Sequence, residues 1–150
     1  MGLFLNSIAP YDKYKMISQD PYFVDKSAMI EELIPALGRE QRFFCIVRPR
    51  RFGKTVAANM IACFFSRECR AEDIFDRLRI AQTDSYQSNV GKHDVIFISF
   101  NELPRKCRNY EEYIDRISDR LLEDLRNAYP KAGIHEKDAV WDALLSVYQA

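Results

Sequence analysis

An α/β fold built on a parallel sheet is predicted by two observations. The first is an order of patterns: the apolar run Phe43-Phe44-Cys45-Ile46-Val47, then the basic turn Arg48-Pro49-Arg50-Arg51-Phe52-Gly53-Lys54-Thr55, then Val56, Met60, Ile61, Phe64 and Phe65 at helical spacing. That order reads as strand, phosphate-binding loop and helix over 42–66. The second is a near-continuous apolar run, Val95 to Phe100, of the kind a parallel strand shows when both its faces are covered. With 150 residues, 47% of them hydrophobic, the chain can form one domain with a real core, and a single domain over 1–150 is expected.

Taken in order, residues 1–24 contain Pro10, Pro21 and several tyrosines without clear periodicity, which predicts an extended segment laid over the surface. Asp25 is placed to cap a helix carried by Met29, Ile30, Leu33, Ile34 and Leu37, which Pro35 should end early and Gly38 should stop. The first strand is expected at about 42–47. In the helix after the loop, Ala57, Ala58 and Ala62 would allow close packing on a sheet. A short helix is expected around Ile74, Phe75 and Leu78, a polar loop over 83–92, and the second strand at 95–100. Asn109 with Glu112 three residues on resembles a capping box, and Tyr113, Ile117, Leu121 and Leu125 continue at four-residue spacing, with Glu112 and Arg116 paired outside. A last helix over about 138–148 carries Trp141, Leu144, Leu145 and Tyr148 on one side, and its aromatic residues are assigned to the core rather than to a base-stacking platform.

Composition narrows the function classes. Net charge is zero, so no global field recruits nucleic acid or an anionic membrane; the positive charge is local to Arg48, Arg50, Arg51 and Lys54. Cys45, Cys63, Cys69 and Cys107 form no C-x-x-C pair and have only His93 and His135 for company, which argues against zinc. Cys45 and Cys63 are expected as buried thiols of a reduced protein. The first residues are too short for a secretory h-region, Asn6 stands where an acylation signal wants Ser or Thr, and no apolar run approaches a membrane span, so a cytoplasmic chain is expected.

The loop carries the chemistry. A helix N-terminus offers free N–H groups and roughly half a positive charge, so it attracts phosphate before any side chain contributes. Lys54 adds a full charge, Gly53 allows close backbone approach, and the Thr55 hydroxyl stands where such loops place a Mg²⁺ ligand. The pattern G-x-x-x-x-G-K-[ST] is met except at its first glycine, where Arg48 stands. A solvated basic turn is the plainer reading of the same cluster.

Arg48-Pro-Arg-Arg-Phe-Gly-Lys-Thr55, the upstream Tyr22-Phe-Val-Asp-Lys-Ser27 and the downstream Val95-Ile-Phe-Ile-Ser-Phe100 together resemble the AAA-ATPase-like family of prokaryotes, from about Pro10 to Tyr148. In that family Arg48 is the expected residue. The resemblance implies a P-loop NTPase-like fold of the AAA/ASCE type, of which this chain would be the N-terminal, incomplete portion. It implies ATP and Mg²⁺ as ligands, with Arg48, Pro49, Arg50, Arg51, Phe52, Gly53, Lys54 and Thr55 about the phosphates, Thr55 on the metal, and Asp25 and Lys26 near the base or ribose. Family members continue into a Walker B strand and often a nuclease-like domain of the PD-(D/E)XK type. A homo-oligomer or a further C-terminal region is thus an implied partner, and nucleic acid is one only through such a linked domain. Asn101-Glu102 reads either as a degenerate Walker B or, preferably, as the end of the strand before it. No catalytic residue is therefore assigned, and ATP binding without hydrolysis is expected. The alternative is a non-catalytic remnant or interaction domain whose basic loop binds a partner or nucleic-acid phosphate.

Overall fold

The computed structural model describes residues 2–40, 42–100 and 107–150. Among these, helices α1 (Ala9–Ser18), α2 (Ala28–Leu33), α3 (Lys54–Phe65), α4 (Glu72–Phe75), α5 (Tyr86–Asn89), α6 (Tyr110–Ala128) and α7 (Val140–Gln149) are joined by loops and 3-10 turns. The chain divides into two compact units, Ile8–Val95 and the described residues of Met1–Ser7 with Ile96–Ala150.

The parallel sheet expected from the sequence is not formed, and the P-loop NTPase-like, AAA/ASCE-type sheet assignment is corrected to a helical fold among the described residues. They contain only two isolated bridges, Ser66 with His93 (parallel) and Leu5 with Ile96 (antiparallel). Residues 42–49 carry no regular structure, and Phe43 and Val47 are 89% and 83% exposed. A strand owes its stability to ladder bonds with a neighbour, so an apolar run without one gains nothing from its pattern. Asn101 and Glu102, the degenerate Walker B reading, lie outside the described residues.

In the unit Ile8–Val95, the segment expected to be extended holds α1 instead. Pro10 sits in its first turn, where its missing N–H costs nothing, and Tyr11 and Tyr14, three residues apart, point into the core. Tyr14 stacks on Phe75 at 5.4 Å between ring centroids and meets Phe23 edge-on at 6.1 Å. Phe64 of α3 lies edge-on to Phe75 at 5.2 Å, so one aromatic cluster ties α1, α3 and α4 together. Pro35 ends α2 as expected, passing it into a 3-10 turn over Ile34–Ala36. The C-terminus of α3 is clamped by backbone bonds from Gly91 to Phe64 and from His93 to Phe65, both 2.8 Å. The polar stretch 83–92 contains the short α5, with Tyr86 buried against Phe64. Cys63 is buried as expected, whereas Cys45 is exposed along with the run around it.

The other unit is built on α6 and α7. Asn109 accepts the Glu112 N–H at 2.8 Å and the Glu112 carboxylate accepts the Arg108 N–H at 2.8 Å, the reciprocal cap read from the sequence shifted by one residue on its return arm. Arg116 meets Glu112 at 2.6 Å. Leu121, Leu122 and Leu125 pack with Ala143 of α7 and with Leu5 from the amino-terminal segment. That segment is fastened by Asp124, a 7% exposed carboxylate that accepts the N–H groups of Phe4 (2.7 Å) and Leu5 (3.1 Å). Gly2 lies so close that a Cβ there would run into the same carboxylate. On α7, Trp141, Leu145 and Tyr148 were expected inside but are 74%, 44% and 88% exposed, because Val140, Ala143, Leu144 and Val147 make the contact with α6.

Candidate functional site

The site is built on the N-terminus of α3. Gly53 enters the helix from the left-handed region (φ 78°, ψ 20°), a conformation costly to other residues, and no side chain caps the helix. The first helical bond runs from the Ala57 N–H to the Gly53 carbonyl at 2.9 Å, so the N–H groups of Lys54, Thr55 and Val56 have no intrahelical acceptor. No acidic residue occupies the first turn to offset the dipole. Arg51 is also left-handed (φ 66°), and two such residues flanking Phe52 curl the backbone before the helix begins.

Arg50, Arg51, Gly53, Lys54 and Thr55, together with Val56, line a cavity of about 390 Å³. Arg48 and Pro49 take another part: their carbonyls accept hydrogen bonds from the Lys54 ammonium, at 3.0 Å for Pro49. The Lys54 side chain thus folds back over the loop. Phe52 points away from the core and is 62% exposed. Among the described residues the cavity's lining is cationic with a single hydroxyl, that of Thr55, and contains no carboxylate. Such a donor set suits an anion.

A second cavity of about 260 Å³ shares Gly53 and Val56 with the first. Tyr14, Tyr22, Phe23 and Met60 make it largely apolar, and Lys26 stands on its wall with its ammonium 3.9 Å from where a Gly53 Cβ would lie. Asp25 does not line it. Its carboxylate accepts the N–H groups of Ser27 and Arg79, both at 2.8 Å, while the Ser27 hydroxyl accepts the buried Ile80 N–H at 3.1 Å. Burial works to raise the Asp25 pKa, but the N–H groups of Arg79 and Ser27 and the Ser27 hydroxyl outweigh it and hold the group below its ordinary value. Burial, then the nearby Asp25 charge, pushes the Tyr14 phenol well up, so it stays neutral; its hydroxyl has no hydrogen-bond partner among the described residues. Tyr14 and Ile17 are wall residues that sequence reasoning did not single out, while Tyr22 and Met60 were read only as part of the upstream motif and of the α3 stripe. The three-residue spacing of Ile8, Tyr11, Tyr14 and Ile17 beginning beside Pro10 was the available signal. Among the described residues no three His, Cys, Asp or Glu side chains gather as metal ligands.

Comparison with known families decides the lineage: residues 8–149 match the AAA-ATPase-like family described as Predicted AAA-ATPase. The chain belongs to the AAA-ATPase-like family. Transcription termination factor Rho of Cereibacter sphaeroides is similar to this AAA-ATPase-like chain, with 30% identity over 126 residues, covering 82% of this chain and 29% of the Rho protein. The chain thus spans less than a third of that relative's length. No solved structure matches. Among the described residues of this AAA-ATPase-like chain, no helix is long and apolar enough to cross a membrane.

Proposed function

We propose that this AAA-ATPase-like chain is a nucleotide-binding module that takes MgATP without turning it over. The observation that carries the reading is the adjacency of two unlike cavities through Gly53 and Val56, one cationic at an uncapped helix N-terminus and one apolar and aromatic. A nucleoside triphosphate has those two ends in that order. Its phosphates meet the N–H groups of Lys54, Thr55 and Val56 and the charges of Arg50, Arg51 and Lys54, with Thr55 contributing an oxygen to Mg²⁺. Its base enters between Tyr22, Phe23 and Met60, with Lys26 near the ribose or first phosphate. Family membership and the similarity to Rho support the nucleotide as ligand.

Turnover needs a carboxylate to orient water beside the phosphates. Among the described residues no carboxylate lines the cationic cavity, and the reading accordingly expects binding without hydrolysis. Calorimetric titration with MgATP and with Mg-tripolyphosphate tests the reading. Both should bind, ATP more tightly because it alone fills the apolar cavity. Failure of both would hand the loop to the alternative role of holding a partner's acidic group. In a phosphate-release assay the chain should remain at background; steady turnover abolished by Glu102→Gln would overturn the non-catalytic half of the proposal.

A further inference from the structure

Tyr14 forms part of the wall of the aromatic cavity and is only 1% exposed, yet its hydroxyl has no hydrogen-bond partner among the described residues. A buried hydroxyl left in that state costs stability, and phenylalanine would fill the same space without the cost. The neighbours explain the lack. The ring stacks on Phe75 and meets Phe23 edge-on, and Met60, another residue of the same wall, has only a weakly accepting thioether. Tyr113, the other buried hydroxyl without a partner among the described residues, does not line this cavity. What Tyr14 lacks is thus a group that an occupant of the cavity would supply.

The charged side chains of the wall are engaged or stand elsewhere. The Asp20 carboxylate accepts the Tyr22 N–H at 2.8 Å, and the Lys26 ammonium lies by Gly53, at the end shared with the cationic cavity. Charge decides which way the Tyr14 hydroxyl serves. Besides burial, the Asp25 carboxylate acts on the phenol as a nearby negative charge, and Asp25 does not line the cavity, so it draws the hydroxyl proton to its own side and leaves the oxygen lone pairs for an occupant. We propose that the Tyr14 hydroxyl reads the base of the bound nucleotide by accepting a hydrogen from an exocyclic amino group, as adenine carries. The inference rests on the reading that this cavity takes the base. Tyr14 is then a specificity-determining residue whose hydroxyl costs stability in the empty protein and returns it as affinity.

The test compares the full chain with Tyr14→Phe in calorimetric titrations against MgATP, the magnesium complex of purine riboside triphosphate, which is ATP without its amino group, and Mg-tripolyphosphate. Both proteins are also melted without ligand. The unaltered chain should bind ATP roughly three- to ten-fold more tightly than the amino-free nucleotide. Tyr14→Phe should bring the two nucleotides to equal affinity, leave tripolyphosphate unchanged, and melt no lower than the unaltered chain when empty. An ATP preference that survives Tyr14→Phe, equal binding of the two nucleotides by the unaltered chain, or a lower melting temperature for the empty variant would each overturn the proposal while the nucleotide reading stood. Tripolyphosphate bound as tightly as either nucleotide would instead remove the base from the cavity, and the role of Tyr14 with it.

Discussion

Lys54 holds two carbonyls of its own loop, so binding a phosphate means exchanging partners rather than filling an idle charge. The net gain is the difference between a charge-assisted contact to phosphate and the bonds surrendered, about 1.5–3 kcal/mol at most. Lys54→Ala should weaken MgATP by on the order of 10- to 100-fold in a calorimetric titration, and equal affinity in the two proteins would remove Lys54 from the site. Asp25 acts differently, since its carboxylate is committed to Arg79 and Ser27. Its folded-state pKa is depressed, so its contribution is present above the unfolded-state value and is lost as pH falls through the folded one. Asp25→Asn should accordingly lower the denaturation midpoint at neutral pH, with a penalty that shrinks as pH falls below the ordinary carboxylate range; a penalty unchanged by acid would mean that the side chain's shape, not its charge, is what counts. The loop residues of the candidate site were legible because they are contiguous and their chemistry is local. Tyr14 and Ile17 were not, since they reach the cavity from α1, roughly forty residues earlier, and nothing in the motif points back to them.

At the scale of the element, the cap of α6 offers the cleanest measurement. Asn109 satisfies the Glu112 N–H and Glu112 returns the favour to Arg108, so Asn109→Ala should destabilise the protein by about 1 kcal/mol in a denaturant melt, while Asn109→Ser should cost much less. Helices α3 and α6 could be read from the sequence because a helix closes its hydrogen bonds within itself, and caps and stops lie within a few residues of the bonds they govern. The runs 43–47 and 95–100 could not, because apolarity says that a strand wants cover but not whether a neighbour exists to supply it. Trp141 shows the same limit in a helix: periodicity placed it on a face with Leu144, and the contact with α6 fell one position round, on Ala143 and Leu144.

For the whole molecule, a ligand that binds only the folded state raises its stability by mass action. MgATP at a hundred times its Kd should add about 2.7 kcal/mol and lift the melting temperature by roughly 5–10 °C. At the same nucleotide concentration Lys54→Ala should lose most of that shift, and a melt indifferent to nucleotide would count against the binding module. The division of the chain into two compact units was not legible in the sequence, because the contacts that join residues 2–7 to α6, the buried Asp124 carboxylate among them, link positions far apart. The Phe4 N–H and Asp124 are 120 positions apart in sequence, and the unit that they fasten is made from the two ends of the chain, with Ile8–Val95 inserted between them. That discontinuity orders events during synthesis. Residues 8–95 can collapse on contacts entirely their own while the carboxyl-terminal third is still to emerge, whereas the amino-terminal segment must wait, its donors hydrated, until α6 arrives. Closing so long a loop carries an entropic cost that grows only with the logarithm of its length, and a compact insert shortens the effective loop further, so the latch at Asp124 forms readily once the contacts within Ile8–Val95 are made.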